Sequence, residues 1–179
     1  MLRTATQADV PQMLAIYAPY VQNTTYSFEY TVPTQEEFLH RFRTYTAQFP
    51  WLVWEEDGAV LGYAYASAPF ERAAYAWCAE SSIYLAPKAQ GRGIGTALYT
   101  ALEAMLRDQG YQINYALITS ENRQSLAFHE KMGYKITADF PNCGYKLGRW
   151  LGVIWMEKRL NPVENVRNAP SSWLSIRQN

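Results

Sequence analysis

Long apolar runs are missing from this 179-residue chain. A membrane-crossing helix needs roughly 20 consecutive apolar residues, and no segment approaches that, so no membrane partner is expected. Cysteine is scarce: the two residues, Cys78 and Cys143, stand far apart and in no metal-ligand spacing. They read as reduced thiols of a cytosolic protein rather than a disulfide or a metal site, and no metal is expected. A charge of one sign is also lacking, since 16 Lys plus Arg balance 16 Asp plus Glu. Holding a nucleic-acid backbone takes a basic surplus, so nucleic acid is not an expected partner. An anionic ligand would have to sit in a local pocket. Met1 to Asp9 carry no apolar stretch backed by a cleavage site, so no secretory leader is expected and the location is read as cytoplasmic. No internal repeat or linker divides the chain.

What is present is an apolar fraction of 49% and an aromatic fraction of 15%, enough to fill one core. Leu2 to Ala5 read as a strand. Asp9 is placed as the N-cap of a helix carrying Met13, Leu14, Ile16 and Tyr17. Thr24 to Pro33 lack helical period and read as a loop. Thr34-Gln35-Glu36-Glu37 is a capping box, opening a second helix to about residue 48. Trp51–Glu55 and Val60–Ser67 read as strands joined by Asp57-Gly58, a hairpin turn. Glu80–Ala86 is a strand, followed by a helix with Leu98, Leu102, Met105 and Leu106 that stops at Gly110. Ile113–Thr119 is a strand and Asn122–Met132 a helix ended by Gly133. Tyr134–Ala138 and Leu151–Lys158 are closing strands. Residues 161–179, mostly polar, read as an extension of the 1–160 domain. The order gives a mixed sheet with helices on both faces.

The most informative stretch runs from Ile83 to Gly95. Here a strand leads through a turn with three alternate glycines, Gly91, Gly93 and Gly95, into a helix. Glycines let successive amides converge, and the helix adds unpaired N–H groups and a positive dipole end. Together these suit a pyrophosphate. A P-loop needs Lys-Ser/Thr after the last glycine, but Thr96-Ala97 follow. A dinucleotide fingerprint needs a different glycine spacing. What stands is Gln-x-x-Gly-x-Gly, as Gln90-Gly91-Arg92-Gly93-Ile94-Gly95.

This run resembles the coenzyme A loop of the GCN5-related N-acetyltransferases (GNAT). Four further segments resemble the phosphinothricin and methionine sulfoximine acetyltransferase branch: Asn23 to Glu29, Ala79 to Leu85, Asn122 to Tyr134 and Gly144 to Trp150. The resemblance spans nearly all of residues 1–160. It implies an α/β (α+β) domain: a mixed, mostly antiparallel sheet of about seven strands with about four helices, splayed at the cofactor. It implies a cytoplasmic transferase, expected as a homodimer, that moves acetyl from acetyl-coenzyme A to the primary amine of a small molecule. By the same resemblance Ile83, Tyr84 and Leu85 flank the pantetheine. Gln90, Gly91, Arg92, Gly93, Ile94, Gly95 and Thr96 hold the pyrophosphate, while Asn122 and Ser125 meet the arm.

Amine attack on a thioester requires a proton to leave the nitrogen. In the resembling family the glutamate matching Glu80 is the proposed base; by itself it is a strand-end carboxylate. Many family members carry a tyrosine that protonates the departing thiolate where this chain has His129. Asn122, Ser125, Leu126, His129 and Met132 share one helix face. Two accounts of His129 stay open: a proton donor to the thiolate, or a core histidine bonded to Ser125. For the acceptor pocket the resemblance points to Thr25, Tyr26 and Phe28 on the covering loop, to Arg72 and Tyr75 before Glu80, and to Lys146. Each also has a structural reading as packing or a solvated charge. Members that bind amino-acid analogues often show Phe-Arg-x-Arg; this chain has Phe70-Glu71-Arg72, and Gly152 where aspartate is common. Two alternatives to small-molecule acetylation are a silent coenzyme A sensor and a protein N-terminal acetyltransferase.

Overall fold

Alternation of large apolar side chains along the central strands gives the sheet two buried faces. The computed structural model describes residues 1–162 and 168–176, so residues 163–167 and 177–179 of the expected extension lie outside it. In chain order the elements are β1 (Leu2–Thr4), α1 (Val10–Asn23), α2 (Gln35–Thr46), β2 (Trp51–Glu56), β3 (Ala59–Ser67) and β4 (Cys78–Leu85). Then follow α3 (Ile94–Gln109), β5 (Ile113–Thr119), α4 (Arg123–Lys131), β6 (Lys135–Lys146), β7 (Arg149–Arg159) and α5 (Trp173–Ile176). The strands form one 7-stranded sheet in the order β1-β2-β3-β4-β5-β7-β6. Every neighbouring pair is antiparallel except β4 and β5.

On β3, Leu61, Ala64 and Ala66 pack under α3 with Leu98, Tyr99 and Leu102. Tyr63 packs on the other face, under α1 and α2, with Met13, Phe38 and Trp51. Period-2 alternation continues on β4: Ala79, Ile83 and Leu85 join the α3 side, and Tyr84 joins the α1 side. Glu80 and Ser82 therefore share the α1 face.

Local signals shape most of the ends. Thr34 Oγ1 accepts from the Glu37 amide at 3.2 Å, and Glu37 Oε2 accepts from the Thr34 amide at 2.6 Å, the capping box in full. Asp57 and Gly58 turn the β2–β3 hairpin with φ of 50° and 78°, the left-handed pair a tight hairpin needs. Gly110 ends α3 with φ 98°.

Two expectations need correcting. Asp9 is not a side-chain cap of α1. Its carboxylate takes the Thr6 amide at 2.7 Å and the Arg3 guanidinium at 2.7 and 2.8 Å, closing a capping box that begins one turn earlier. Strand β6 also runs eight residues past Ala138, through a register shift between Phe140 and Gly144, and turns into β7 at Leu147-Gly148. Bulges hide the alternation that a sequence reading depends on.

The C-terminal residues dock between the α2–β2 connection and the end of α3. The Trp173 amide donates to Gln48 O at 3.0 Å, and Gln109 Nε2 donates to both Gln48 O and Ser171 O at 2.8 Å. Trp173 is buried.

Candidate active site

The parallel pair β4–β5 is joined only over Cys78–Ile113, Ala79–Asn114 and Glu80–Tyr115. Beyond Glu80 the strands part, which is the splay expected of the sheet. The stretch Ser81–Leu85, still paired with β3 but open on its β5 side, covers about 17 Å at ~3.3 Å per residue and leads straight to the glycine turn. A cleft of about 370 Å³ runs from that turn along α4, and a recess of about 80 Å³ opens inside the fork.

The turn is built from backbone. Gly91 and Gly93 adopt φ of 71° and 77°, a region that side chains with a Cβ avoid. Gly93 is the residue from which α3 departs, so the first amides of a 16-residue helix open onto the cleft. Gln90, Gly91, Gly93, Ile94, Gly95 and Thr96 line it. Crowding is not the constraint at Gly93, because no atom of the described residues lies within 4 Å of a Cβ built there; the left-handed backbone is. The Arg92 side chain does not join the residues lining the cleft. Its guanidinium turns to Glu56, with Nη2 at 2.9 Å from both carboxylate oxygens.

On β4, Ile83 and Leu85 face the cleft. Tyr84 lines the recess, with its ring packed edge-on against Tyr17 and Tyr20, centroids at 4.8 and 5.2 Å. From α4, Asn122 Oδ1 accepts from the Ser125 amide at 3.1 Å. That leaves the Asn122 NH₂ as a donor toward the cleft, suited to an amide carbonyl. Asn122, Ser125, Tyr20 and Tyr26 border both cavities. Tyr20 went unnoticed in the sequence; its hydroxyl donates to Leu85 O at 2.7 Å and pins the end of β4.

Glu80 sits where the fork begins, next to Ser81 and Ser82 of the recess. Burial raises its carboxyl above the ordinary value, and no charged neighbour contributes. His129 is 3% exposed and borders the recess. Its Nδ1 lies 2.8 Å from the Ser125 carbonyl, so Nδ1 carries the proton and donates. Its Nε2 lies 2.8 Å from the Tyr99 hydroxyl. Burial lowers its pKa to about 4, so the ring is neutral near pH 7. Neither nitrogen points a free proton at the recess.

The expected acceptor residues divide. Tyr26 faces both cavities. Thr25 is buried; its hydroxyl donates to Glu121, which holds Arg149 at 2.5 and 2.7 Å. Phe28 lies across Gly144 of β6, so closely that a Cβ there would meet the ring at 2.2 Å. Arg72 is exposed at the start of a short 3-10 turn, and its side chain makes no hydrogen bond among the described residues. Tyr75 packs tilted against Phe70, centroids 4.5 Å apart, and Phe70 in turn meets Tyr115, the partner of Glu80, at 6.1 Å. Lys146 is elsewhere. Its ammonium is buried, donating to Val21 O at 2.7 Å and Ser27 O at 2.5 Å; it ties down the covering loop and does not face the cleft.

The sequence profile of the acetyltransferase (GNAT) domain matches residues 2–155. The chain belongs to the GNAT acetyltransferase family. A phosphinothricin N-acetyltransferase from Streptomyces viridochromogenes is 34% identical, over 85% of this chain and 83% of that protein. An L-methionine sulfoximine/L-methionine sulfone acetyltransferase from Pseudomonas aeruginosa is 36% identical, over 94% of this chain and 98% of its own. The solved GNAT phosphinothricin acetyltransferase of Sinorhizobium meliloti, in complex with AcCoA, superposes with a TM-score of 0.88 at 37% identity, covering 96% and 92% of the two chains. This GNAT protein is an acetyl-coenzyme A-dependent N-acetyltransferase. Its glycine turn, fork and Asn122 amide fit a pyrophosphate followed by an extended pantetheine arm.

Proposed function

We propose that the acceptor is the primary amine of a small amino-acid-like molecule, of the class that includes phosphinothricin and methionine sulfoximine or sulfone. The observation that carries this is the parting of β4 from β5 directly after Glu80, with the glycine turn at the far end of the same strand. A thioester delivered along Ser81–Leu85 ends beside a carboxylate whose proton affinity burial has raised. Glu80 takes the amine proton as the nitrogen attacks the thioester carbon in a direct ternary complex; the C–S bond breaks and coenzyme A leaves as its thiolate. An amide of the unpaired β4 edge polarises the thioester carbonyl. Tyr26 and the Phe70–Tyr75 pair wall the acceptor, and exposed Arg72 is the cation at hand for a carboxylate. The names of the relatives support an amino-acid-like acceptor.

The proposal includes a catalytic domain over residues 1–160 with 161–179 as an extension, work in the cytoplasm, and a homodimer. Exposed apolar side chains on the β6–β7 hairpin support the dimer: Ile136 at 64%, Trp150 at 64% and Leu147 at 57%. Sedimentation of wild type and Trp150→Glu tests it; a wild-type monomer removes it.

Thiol release from acetyl-coenzyme A should occur with methionine sulfoximine, methionine sulfone and phosphinothricin, and not with an alanine-starting peptide. Turnover on the peptide alone would overturn the acceptor class. The sign of the pH effect follows from Glu80. Raising its pKa favours the protonated form, so kcat/KM for the amine should drop as pH falls, with a midpoint above the ordinary carboxylate value of about 4.3.

A further inference from the structure

From the cofactor donors on α4 a polar chain runs inward, buried from His129 on, through side chains that the acetyl-transfer chemistry above does not use. It starts at Asn122, which caps α4 through the Ser125 amide at 3.1 Å. The Ser125 carbonyl accepts from His129 Nδ1 at 2.8 Å. His129 Nε2 accepts from the Tyr99 hydroxyl at 2.8 Å. Tyr99, on α3, also lies 3.3 Å from the Ser81 carbonyl on β4. Ser81 Oγ donates to Asn114 Oδ1 at 2.9 Å, and Asn114 Nδ2 donates to the Tyr134 hydroxyl at 2.6 Å. Tyr99 and Asn114 are 0% exposed, Tyr134 2% and Ser81 4%.

The chain's two ends are the point. Asn122 and Ser125 border the cofactor cleft. Ser81 and Asn114 bridge β4 and β5 where their ladder stops, one residue from Glu80. We propose that His129 is a positioning residue: a neutral tether, working through Tyr99, that sets the donors of α4 at a fixed distance from the β4 edge. It is not the acid for the leaving thiolate. This rests on the acetyl-transfer reading, because the pantetheine arm is what lies between those two edges.

Burial is what favours neutrality: it outweighs the hydrogen bond to Ser125 O. Of the groups facing the ring from the packed elements, Tyr99 of α3 and Tyr134 after α4 are uncharged near pH 7, and the carboxylates of Glu103 on α3 and Glu80 on β4 act on Tyr99. Lys158 is held by Glu103 at 2.5 Å. Burial dominates the ring's titration, and the tautomer is set by Ser125 O, which can only accept.

Binding of coenzyme A, measured by calorimetry, needs no acceptor and so separates this proposal from the acceptor reading. His129→Phe keeps the ring and loses both hydrogen bonds; it should weaken binding roughly tenfold. Tyr99→Phe should do the same, and the double variant should be no worse than either alone. His129→Asn, which can restore the N–H to Ser125 O but cannot titrate, should recover part of the affinity. In turnover the loss should appear in KM for acetyl-coenzyme A, with the pH profile of kcat keeping its shape. Nitrogen NMR of the wild type, with His40→Asn to assign the second ring, should show a bare Nε2 and no titration between about pH 5.5 and 9. A ring that titrates in that interval overturns the proposal even if every variant fails to fold. Unchanged coenzyme A affinity in His129→Phe, with kcat lost and a limb of its profile missing, overturns it too.

Discussion

The two ends of the cleft are made of different material. The pyrophosphate end is backbone: Gly91 and Gly93 at positive φ, and the open first turn of α3. The charged side chain between those glycines, Arg92, faces away to Glu56. The fork end is side chain: Ser81, Tyr99, Asn114, His129 and Tyr134 come from β4, α3, β5, α4 and the turn after it, all buried. A backbone site depends on dihedral angles and tolerates changed side chains. A side-chain site tolerates ordinary dihedrals and fails when one hydroxyl goes.

The sharpest break in that contrast is chemical. Glu80→Gln should lower kcat by roughly 10²- to 10⁴-fold, with coenzyme A affinity nearly unchanged in calorimetry. It should also raise the melting temperature at pH 7. A carboxyl whose folded pKa is raised above its unfolded value weakens folding as pH rises past the unfolded value, and glutamine removes that term. A wild-type rate in Glu80→Gln would take Glu80 out of the reaction. Next in size is Gly93→Val, which forces a β-branched residue to φ 77°. Strain of about 1–2 kcal/mol or more should cost coenzyme A binding tenfold or beyond. The companion Thr96→Ala, which keeps its amide, should change binding less than about twofold. If the two behaved alike, the turn would not be a main-chain site.

A smaller effect is expected at the acceptor wall. Gly144→Ala drives a methyl into the Phe28 ring, and about 1–3 kcal/mol of overpacking should be relieved by moving the covering loop. The acceptor KM should rise while the KM for acetyl-coenzyme A holds. A rise in the latter alone would mean that Phe28 serves the cofactor. The smallest effect belongs to Arg92→Ala. An exposed ion pair is worth about 0–1 kcal/mol, so coenzyme A affinity should shift less than about threefold in a titration at low salt. A loss of tenfold or more would show the guanidinium reaching the phosphates.

What the sequence discloses follows the same divide. The turn is contiguous, and its glycines, its helix start and Gln90 can be read off thirteen residues. The capping box at Thr34 and the hairpin at Asp57-Gly58 are equally local, and the structure has both. Asp9 deceived because its carboxylate is already engaged by the Thr6 capping box one turn earlier and by Arg3. The family resemblance points to Lys146 at the acceptor pocket, with a structural role open beside it; only the folded chain brings the carbonyls of Val21 and Ser27 to it. Tyr99 gave no signal. It falls among Leu98, Leu102 and Leu106 as one more apolar position of an amphipathic helix, and its hydroxyl matters only once α4 lies across it. The length of β6 was hidden by its bulge.

The docked end of the chain carries a consequence of its own. Ser171 and Trp173 hang from Gln48 and Gln109, and Gln48 follows α2 just before β2 begins. Any cargo fused behind the last helix would therefore pull on the peptide that leads into β2, far from the cleft. Proteases that nick this clasp should leave catalysis intact at first and shorten the enzyme's lifetime under heat, so the terminus behaves as a fuse for the whole molecule.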